Sequence, residues 1–221
     1  MSAQLKSEGY CWIRQSLSAN DVETLRSIFT ASDNQRLPIK EQSESFISAL
    51  GNITKCVQSV LPDARPVRLV AFNKSNKKNW AVSWHQDRII SVCKKENVRG
   101  YSNWSRKAGL WHCEPPPPIL ENMLAVRAHL DEAEIQTGAL EILSGSHQFG
   151  KVTADQINNV VDNCAPVTCL AKTGDLMIMK MLTLHRSKPS LRDAPRRAIR
   201  IDYSADILPT PLQWETGEKC E

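Results

Sequence analysis

The segment NWAVSWHQDRI, Asn79 to Ile89, places His85 and Asp87 two positions apart, among tryptophans and β-branched residues. On a strand, side chains alternate between faces, so His85 and Asp87 project together while Trp84, Gln86 and Arg88 project away. A buried imidazole and a buried carboxylate are each costly without a partner. A metal ion would serve both, and a third ligand must then come from a later strand lining the same cavity. Of the other four histidines, His147 lies in the turn-like LSGSHQFG, His112 in a long polar stretch and His129 in AVRAHLD. His185 ends the run GDLMIMKMLTLH, apolar and unbroken as a buried strand should be. His185 is therefore the candidate third ligand.

Two imidazoles and one carboxylate on one face of an iron leave adjacent coordination positions open, as in non-haem Fe(II) oxygenases. Those positions can take a bidentate 2-oxoacid and O2. A five-carbon 2-oxoacid also needs a cation for its distal carboxylate, and arginine grips a carboxylate with two parallel hydrogen bonds. Arg196 stands downstream of His185 on RRAIRIDYS. By alternation Arg196, Ala198, Arg200 and Asp202 share a face, the one expected to line the cavity, and Arg197, Ile199, Ile201 and Tyr203 share the other.

The elements that must position these residues are legible in outline. SLSANDVETLRSIFTAS reads as a helix capped by Ser18 or Asn20, with Val22, Leu25, Ile28 and Phe29 at helical spacing. PIKEQSESFISALGNITKCVQSVLP reads as a second helical region, broken near Gly51 and ended by Pro62. From RPVRLVAFNK onward the texture changes to short runs, MLAVRAHLDEA, GALEILSGSH, DLMIMKMLTLH and RRAIRIDYSA, separated by turn residues. This predicts a mainly β protein, a jelly roll with N-terminal helices packed outside. A single domain over 1–221 is expected, helical to about 65 and jelly roll from about 66 to 214. Lys94 to Pro118, with its CEPPPP, is expected to be a long loop, and a loop of that length is often a lid; Trp104, Trp111 and His112 are its candidate lid residues.

Length and composition exclude other classes. The chain has 221 residues, room for one substantial core and short for two. No apolar signal core opens it and no run reaches membrane-spanning length, so a cytoplasmic protein is expected. Seven cysteines without a CxxC pair point to reduced thiols rather than a disulfide framework or a zinc finger. The net charge of +4 gathers at Lys74, Lys77 and Lys78, at Lys94 and Lys95, and from Arg186 to Arg200. No nucleic-acid recognition motif accompanies it. A solvated basic face is one reading, an anionic small substrate or co-substrate the other.

Taken together, WHQD, GALEILSGSHQFG and GDLMIMKMLTLHRSKPSLRDAPRRAIRIDYS resemble the phytanoyl-CoA dioxygenase family of Fe(II)- and 2-oxoglutarate-dependent oxygenases, its short bacterial members of unassigned substrate in particular. The resemblance runs from about Arg68 to about Trp214. It implies that His85, Asp87 and His185 are the metal ligands, that Arg196 pairs with the distal carboxylate of 2-oxoglutarate, and that Ser187 bonds the same carboxylate. It also implies hydroxylation of a small organic substrate with release of succinate and CO2. One position departs: Arg127, in LAVRAHLDE, stands where the family resemblance places an aromatic residue against the co-substrate. Arg127 either binds an anion or forms a structural pair with Asp131 or Glu141. The polar faces that carry Arg127, His129, Arg200 and Asp202 favour a polar substrate over a branched acyl chain.

Bland roles are assigned elsewhere. His147 is read as structural, Trp80 and Trp84 as core, Lys74 as a solvated lysine and Asp175 as a turn residue. Two rivals stand beside the oxygenase: a zinc hydrolase using the same three ligands and a general base, and a non-catalytic metal-binding jelly roll.

Overall fold

Helix α2 (Ala19–Arg26) follows α1 (Ser2–Glu8) and the short strand β1 (Tyr10–Ile13), and its start is set by local chemistry. The Ser18 hydroxyl accepts from the Asp21 backbone N–H, and the Asp21 carboxylate accepts from the Ser18 backbone N–H, so two otherwise unpaired amides are satisfied. The computed structural model describes residues 2–29, 35–74 and 79–216; the last residues of the first expected helix, and Lys77 and Lys78 of the basic cluster, lie outside them. After β2 (Gln35–Leu37), helix α3 (Glu44–Gln58) runs through Gly51 without a break. The expected interruption does not occur because Phe46, Ala49, Leu50, Ile53 and Val57 bury a continuous stripe, and that burial outweighs the roughly 1 kcal/mol helix cost of one glycine.

The remaining elements are β3 (Arg65–Lys74), β4 (Val82–His85), β5 (Ile90–Val92), β6 (Ser102–Lys107), β7 (Leu110–Glu114), α4 (Pro117–Asn122), β8 (Leu124–His129), β9 (Leu140–Leu143), α5 (Ile157–Asn163), β10 (Pro166–Thr168), β11 (Leu176–Lys180), β12 (His185–Ser187) and β13 (Arg196–Ser204). A six-stranded antiparallel sheet, in order β1-β11-β8-β13-β3-β2, faces a four-stranded one, β10-β9-β12-β4. This is the jelly roll expected from the sequence, with α2 and α3 outside. Their apolar stripes meet Leu69, Val126, Ile199, Ile201 and Tyr203 on the outer face of the larger sheet. β1 and β2 show that the N-terminal third also contributes strands to that sheet.

Two expectations are corrected. Lys94 to Pro118 is not one long loop: β6 and β7 join β5 in a small third sheet, and Trp104 and Trp111 pack against the core between the sheets. The apolar run ending at His185 is not one strand either. It leaves the larger sheet after Lys180, turns through buried Met181 to Leu184, and enters the smaller sheet at His185. Thr183 holds that turn by donating its hydroxyl to the Gly9 carbonyl. The cysteine expectation holds for Cys11, Cys56, Cys113, Cys164 and Cys169, which are free, while Cys93 is engaged in a disulfide. No helix among the described residues is long and apolar enough to cross a membrane.

Candidate metal centre

His85 ends β4 and His185 begins β12, and the two are direct cross-strand partners. Their ring centroids are 4.2 Å apart. Each Nδ1 sits on a backbone carbonyl, His85 on Ser83 at 2.9 Å and His185 on Thr183 at 3.0 Å. With Nδ1–H donating there, both Nε2 atoms present lone pairs to the cavity, which is how a ligating imidazole is usually oriented. Asp87 lies beyond the strand end but on the same side, its Oδ2 3.1 Å from His185 Nε2. One ligand atom from each of the three residues falls within 4.8 Å of the others. Gln86, projecting away, braces the segment: its amide donates to the Gly150 and Leu182 carbonyls and its oxygen accepts from the Val152 N–H.

The triad opens on a cavity of about 180 Å³ between the two sheets. Its other wall is the inner face of β2, β3, β13 and β8, laid out in cross-strand rows. Lys74 pairs with Arg196; Phe72, Ala198 and His129 form the next rung; Arg36, Val70, Arg200 and Arg127 form another; Arg68 faces Asp202. The expected face of β13 therefore does line the cavity, and Ile199, Ile201 and Tyr203 lie under the helices.

Arg200 bridges the two walls. It donates to Asp202 at 2.6 Å and pairs with Asp87. Burial alone would raise the Asp87 carboxyl, but Arg200 and His185 outweigh it and hold the group well below the usual carboxylate range. Arg196 is almost wholly buried and its Nε has no hydrogen-bond partner among the described residues. Burial pulls its guanidinium down to about 10. Beside it Lys74 is fully buried, donating to the Ser187 hydroxyl at 3.0 Å and to the Lys188 carbonyl. Burial, then Arg196 and Arg127, lower its ammonium to about 8. The solvated-lysine expectation is thus corrected. Gly138, at φ +69°, makes room for this contact: a Cβ there would stand 2.5 Å from the Lys188 carbonyl oxygen.

The family profile of phytanoyl-CoA dioxygenase matches residues 5–198. The chain belongs to the phytanoyl-CoA dioxygenase family. Membership makes it an Fe(II)- and 2-oxoglutarate-dependent oxygenase by type. No curated protein sequence matches it. Among solved structures, EctD from S. alaskensis aligns with a TM-score of 0.69 at 16% identity, over 95% of this chain and 78% of that one. SnoK, the non-heme alpha ketoglutarate dependent carbocyclase from nogalamycin biosynthesis, aligns at 0.67 and 16%, over 99% and 86%. HygX from Streptomyces hygroscopicus, with nickel and 2-oxoglutarate bound, aligns at 0.62 and 14%, over 90% and 84%. At such identities the likeness shows a shared fold.

For a family member, the remaining sequence expectations divide clearly. Arg127 forms neither expected structural pair: Asp131 is held by Arg26 and Arg197, and Glu141 by Arg186 and Lys188. Arg127 instead points into the cavity, 5.0 Å over the Phe72 ring. Ser187 lies at the cavity with its hydroxyl already bonded to Lys74 and, at 3.3 Å, to the Gly138 carbonyl. His147 is structural as expected, on the Lys6 carbonyl at 3.1 Å. Asp175 accepts from the Gln15 and Lys172 amides and from Arg14, which suits a turn anchor. Trp84 packs in the core, but Trp80 lines the cavity, with the Lys74 ammonium 5.3 Å from its ring. Sequence reasoning missed Arg36 and Arg68 as cavity residues. The alternation of RPVRLVAFNK could have found Arg68; Arg36 lies on a three-residue strand with no periodic signal.

Proposed function

We propose that His85, Asp87 and His185 hold one Fe(II), and that Arg196, with Lys74, Ser187 and Arg127 around it, receives the distal carboxylate of 2-oxoglutarate. The observation that carries this reading is the pairing, in one cavity, of the three converging ligand atoms with the buried Arg196, which has no carboxylate partner among the described residues. Two imidazoles and a carboxylate suit Fe(II), and a desolvated guanidinium without a counter-charge among the described residues suits a carboxylate ligand. Iron held by these three residues would supply, with 2-oxoglutarate and O2, the oxidising chemistry for hydroxylating the substrate with release of succinate and CO2.

The protein's own residues orient and exclude. Ser83 and Thr183 fix the imidazole tautomers, Arg200 keeps Asp87 ionised and aimed, and Phe72, Val70 and Leu140 keep the cavity partly apolar so that its charges act at low dielectric. The substrate would be a small, polar or anionic organic molecule. The zinc-hydrolase alternative lacks a feature it needs: among the described residues Asp87 is the carboxylate that reaches the cavity surface, and Asp202 and Glu141 behind it are held in ion pairs, so none is spare as a general base. The test is anaerobic titration with Fe(II) and then 2-oxoglutarate, followed by visible absorption. One equivalent of iron and a weak charge-transfer band that appears only with 2-oxoglutarate are expected. Iron binding with no response to 2-oxoglutarate would leave the non-catalytic metal protein as the better reading.

A further inference from the structure

We infer that the cavity holds a second anion subsite, formed by Arg36 and Arg68 at the far end from Arg196, which receives a carboxylate or phosphate group of the organic substrate. This rests on the reading of the Arg196 end as the co-substrate site. The two ends are separated by the sheet's own geometry. Arg36 stands on the rung of Arg200, two strands away, a distance of about 10 Å at sheet spacing. Arg196 lies four residues from Arg200 along β13, about 13 Å at the strand rise. One five-carbon acid gripped by Arg196 and the metal leaves the Arg36 corner to another ligand.

The charge balance of the wall calls for one. Six arginines line the cavity, Arg36, Arg68, Arg127, Arg186, Arg196 and Arg200, and Lys74 is buried behind Arg196. Against these seven cations stand, among the described residues, three carboxylates: Asp87, Asp202 and Glu141, the last shared with Lys188 outside the cavity. The surplus is four. A divalent metal adds two and the 2-oxoglutarate dianion removes two, so four positive charges still await a counter-charge. Excess cation is concentrated where the partners run out. Arg68 gives one nitrogen to Asp202 at 3.0 Å, a carboxylate it shares with Arg200, and its buried Nε is unpartnered. Arg36 has a buried, unpartnered Nε and pairs with no carboxylate among the described residues. Their buried neighbour His112 supplies no negative charge; burial and then Arg68 lower its imidazole to about 4, so it is neutral near pH 7. Two guanidinium forks with free donors, side by side on neighbouring strands, match an oxyanion with several acceptor oxygens.

The experiment is calorimetric titration of inorganic phosphate, and separately of acetate, into protein carrying Mn(II) and saturating 2-oxoglutarate. The wild type should bind at least one of the two, and the tighter one names the headgroup. Arg36→Gln should weaken that binding roughly tenfold or more, with 2-oxoglutarate affinity unchanged as the check that the fold and the co-substrate end are intact. Arg36→Lys, keeping the charge without the fork, should fall between. Arg196→Gln should do the reverse, losing 2-oxoglutarate and keeping the added anion. Wild-type binding of neither anion, or equal binding by Arg36→Gln, overturns the subsite. Unchanged 2-oxoglutarate affinity in Arg196→Gln would overturn the co-substrate reading instead, and the comparison of wild type with Arg36→Gln would still decide this one.

Discussion

His85 and His185 are held by the same local device: each imidazole bonds through Nδ1 to the carbonyl two residues before it, Ser83 in one case and Thr183 in the other. Two strands of opposite direction thereby present two Nε2 atoms to one point beside Asp87. Each of the three should be indispensable, because a site with only three protein ligands has none in reserve. His85→Ala, Asp87→Ala and His185→Ala should each abolish the 2-oxoglutarate-dependent visible band on anaerobic Fe(II) titration. A band that survives in His185→Ala would show that the third ligand lies elsewhere.

Arg196→Ala should separate co-substrate from metal. Truncating one side of a buried charge pair costs about 2–5 kcal/mol, so 2-oxoglutarate affinity should drop by at least an order of magnitude in calorimetry. Fe(II) affinity should persist, since no ligand is lost. Unchanged 2-oxoglutarate binding would pass the role to Arg127, which lines the same cavity and has no carboxylate partner among the described residues.

That His85 and Asp87 share a side, and that Arg196 faces the cavity, was legible in the sequence because period-two alternation decides which side chains share a face; His185 was reached from the apolar run before it instead. The failures have specific causes. Apolarity marked the stretch up to His185 as buried, but burial does not distinguish a strand from a crossover between sheets, so the turn at Met181 to Leu184 was invisible. Lys74 reads as a surface residue by type; only the Arg196 cross-strand register and Gly138 reveal that it is enclosed. The Arg200–Asp87 pair joins two sheets across the cavity, a contact that no local spacing encodes.

That pair also makes a stability prediction. Arg200 is buried with Asp202, and both Asp87 and Asp202 depend on it. Replacing it with an apolar side chain of similar length strands buried carboxylates, so Arg200→Met should destabilise the metal-free protein by about 3–5 kcal/mol in urea unfolding. A loss under 1 kcal/mol would mean that Arg68 alone satisfies Asp202.

His129 should set part of the acid limit of the fold. It is fully buried against Trp12, neither ring nitrogen has a partner among the described residues, and burial followed by Arg127 lowers its imidazole to about 3. The folded protein keeps it neutral, while the unfolded chain protonates it below about pH 6.5. The unfolded state therefore binds the extra proton, and stability falls as pH drops from about 6.5 toward 3, by up to about 1.4 kcal/mol per unit for this one group. His129→Leu should match or exceed the wild-type melting temperature at pH 7 and gain on it steadily between pH 6.5 and 4. Parallel melting curves over that range would remove His129 from the account.

The substrate class follows from what the cavity can solvate. Arg36, Arg68, Arg127 and Arg200 are turned inward, interleaved with Val70, Phe72, Trp80, Val82 and Leu140, so no stretch of the lining is free of guanidinium groups. A branched alkyl chain laid against them would bury little apolar area and leave buried donors unpaired, at a cost of about 1–3 kcal/mol for each group and more for charged ones. A compact molecule with a carboxylate or phosphate and further hydroxyl groups would instead satisfy those donors. Succinate release should therefore rise with members of a panel of small polar acids and phosphate esters, and stay at the uncoupled background with branched acyl-CoA thioesters. Turnover with phytanoyl-CoA and with none of the polar acids would refute the polar substrate while leaving the oxygenase type intact. It would also require the guanidinium-lined wall to move aside on binding, which a structure of that complex would reveal.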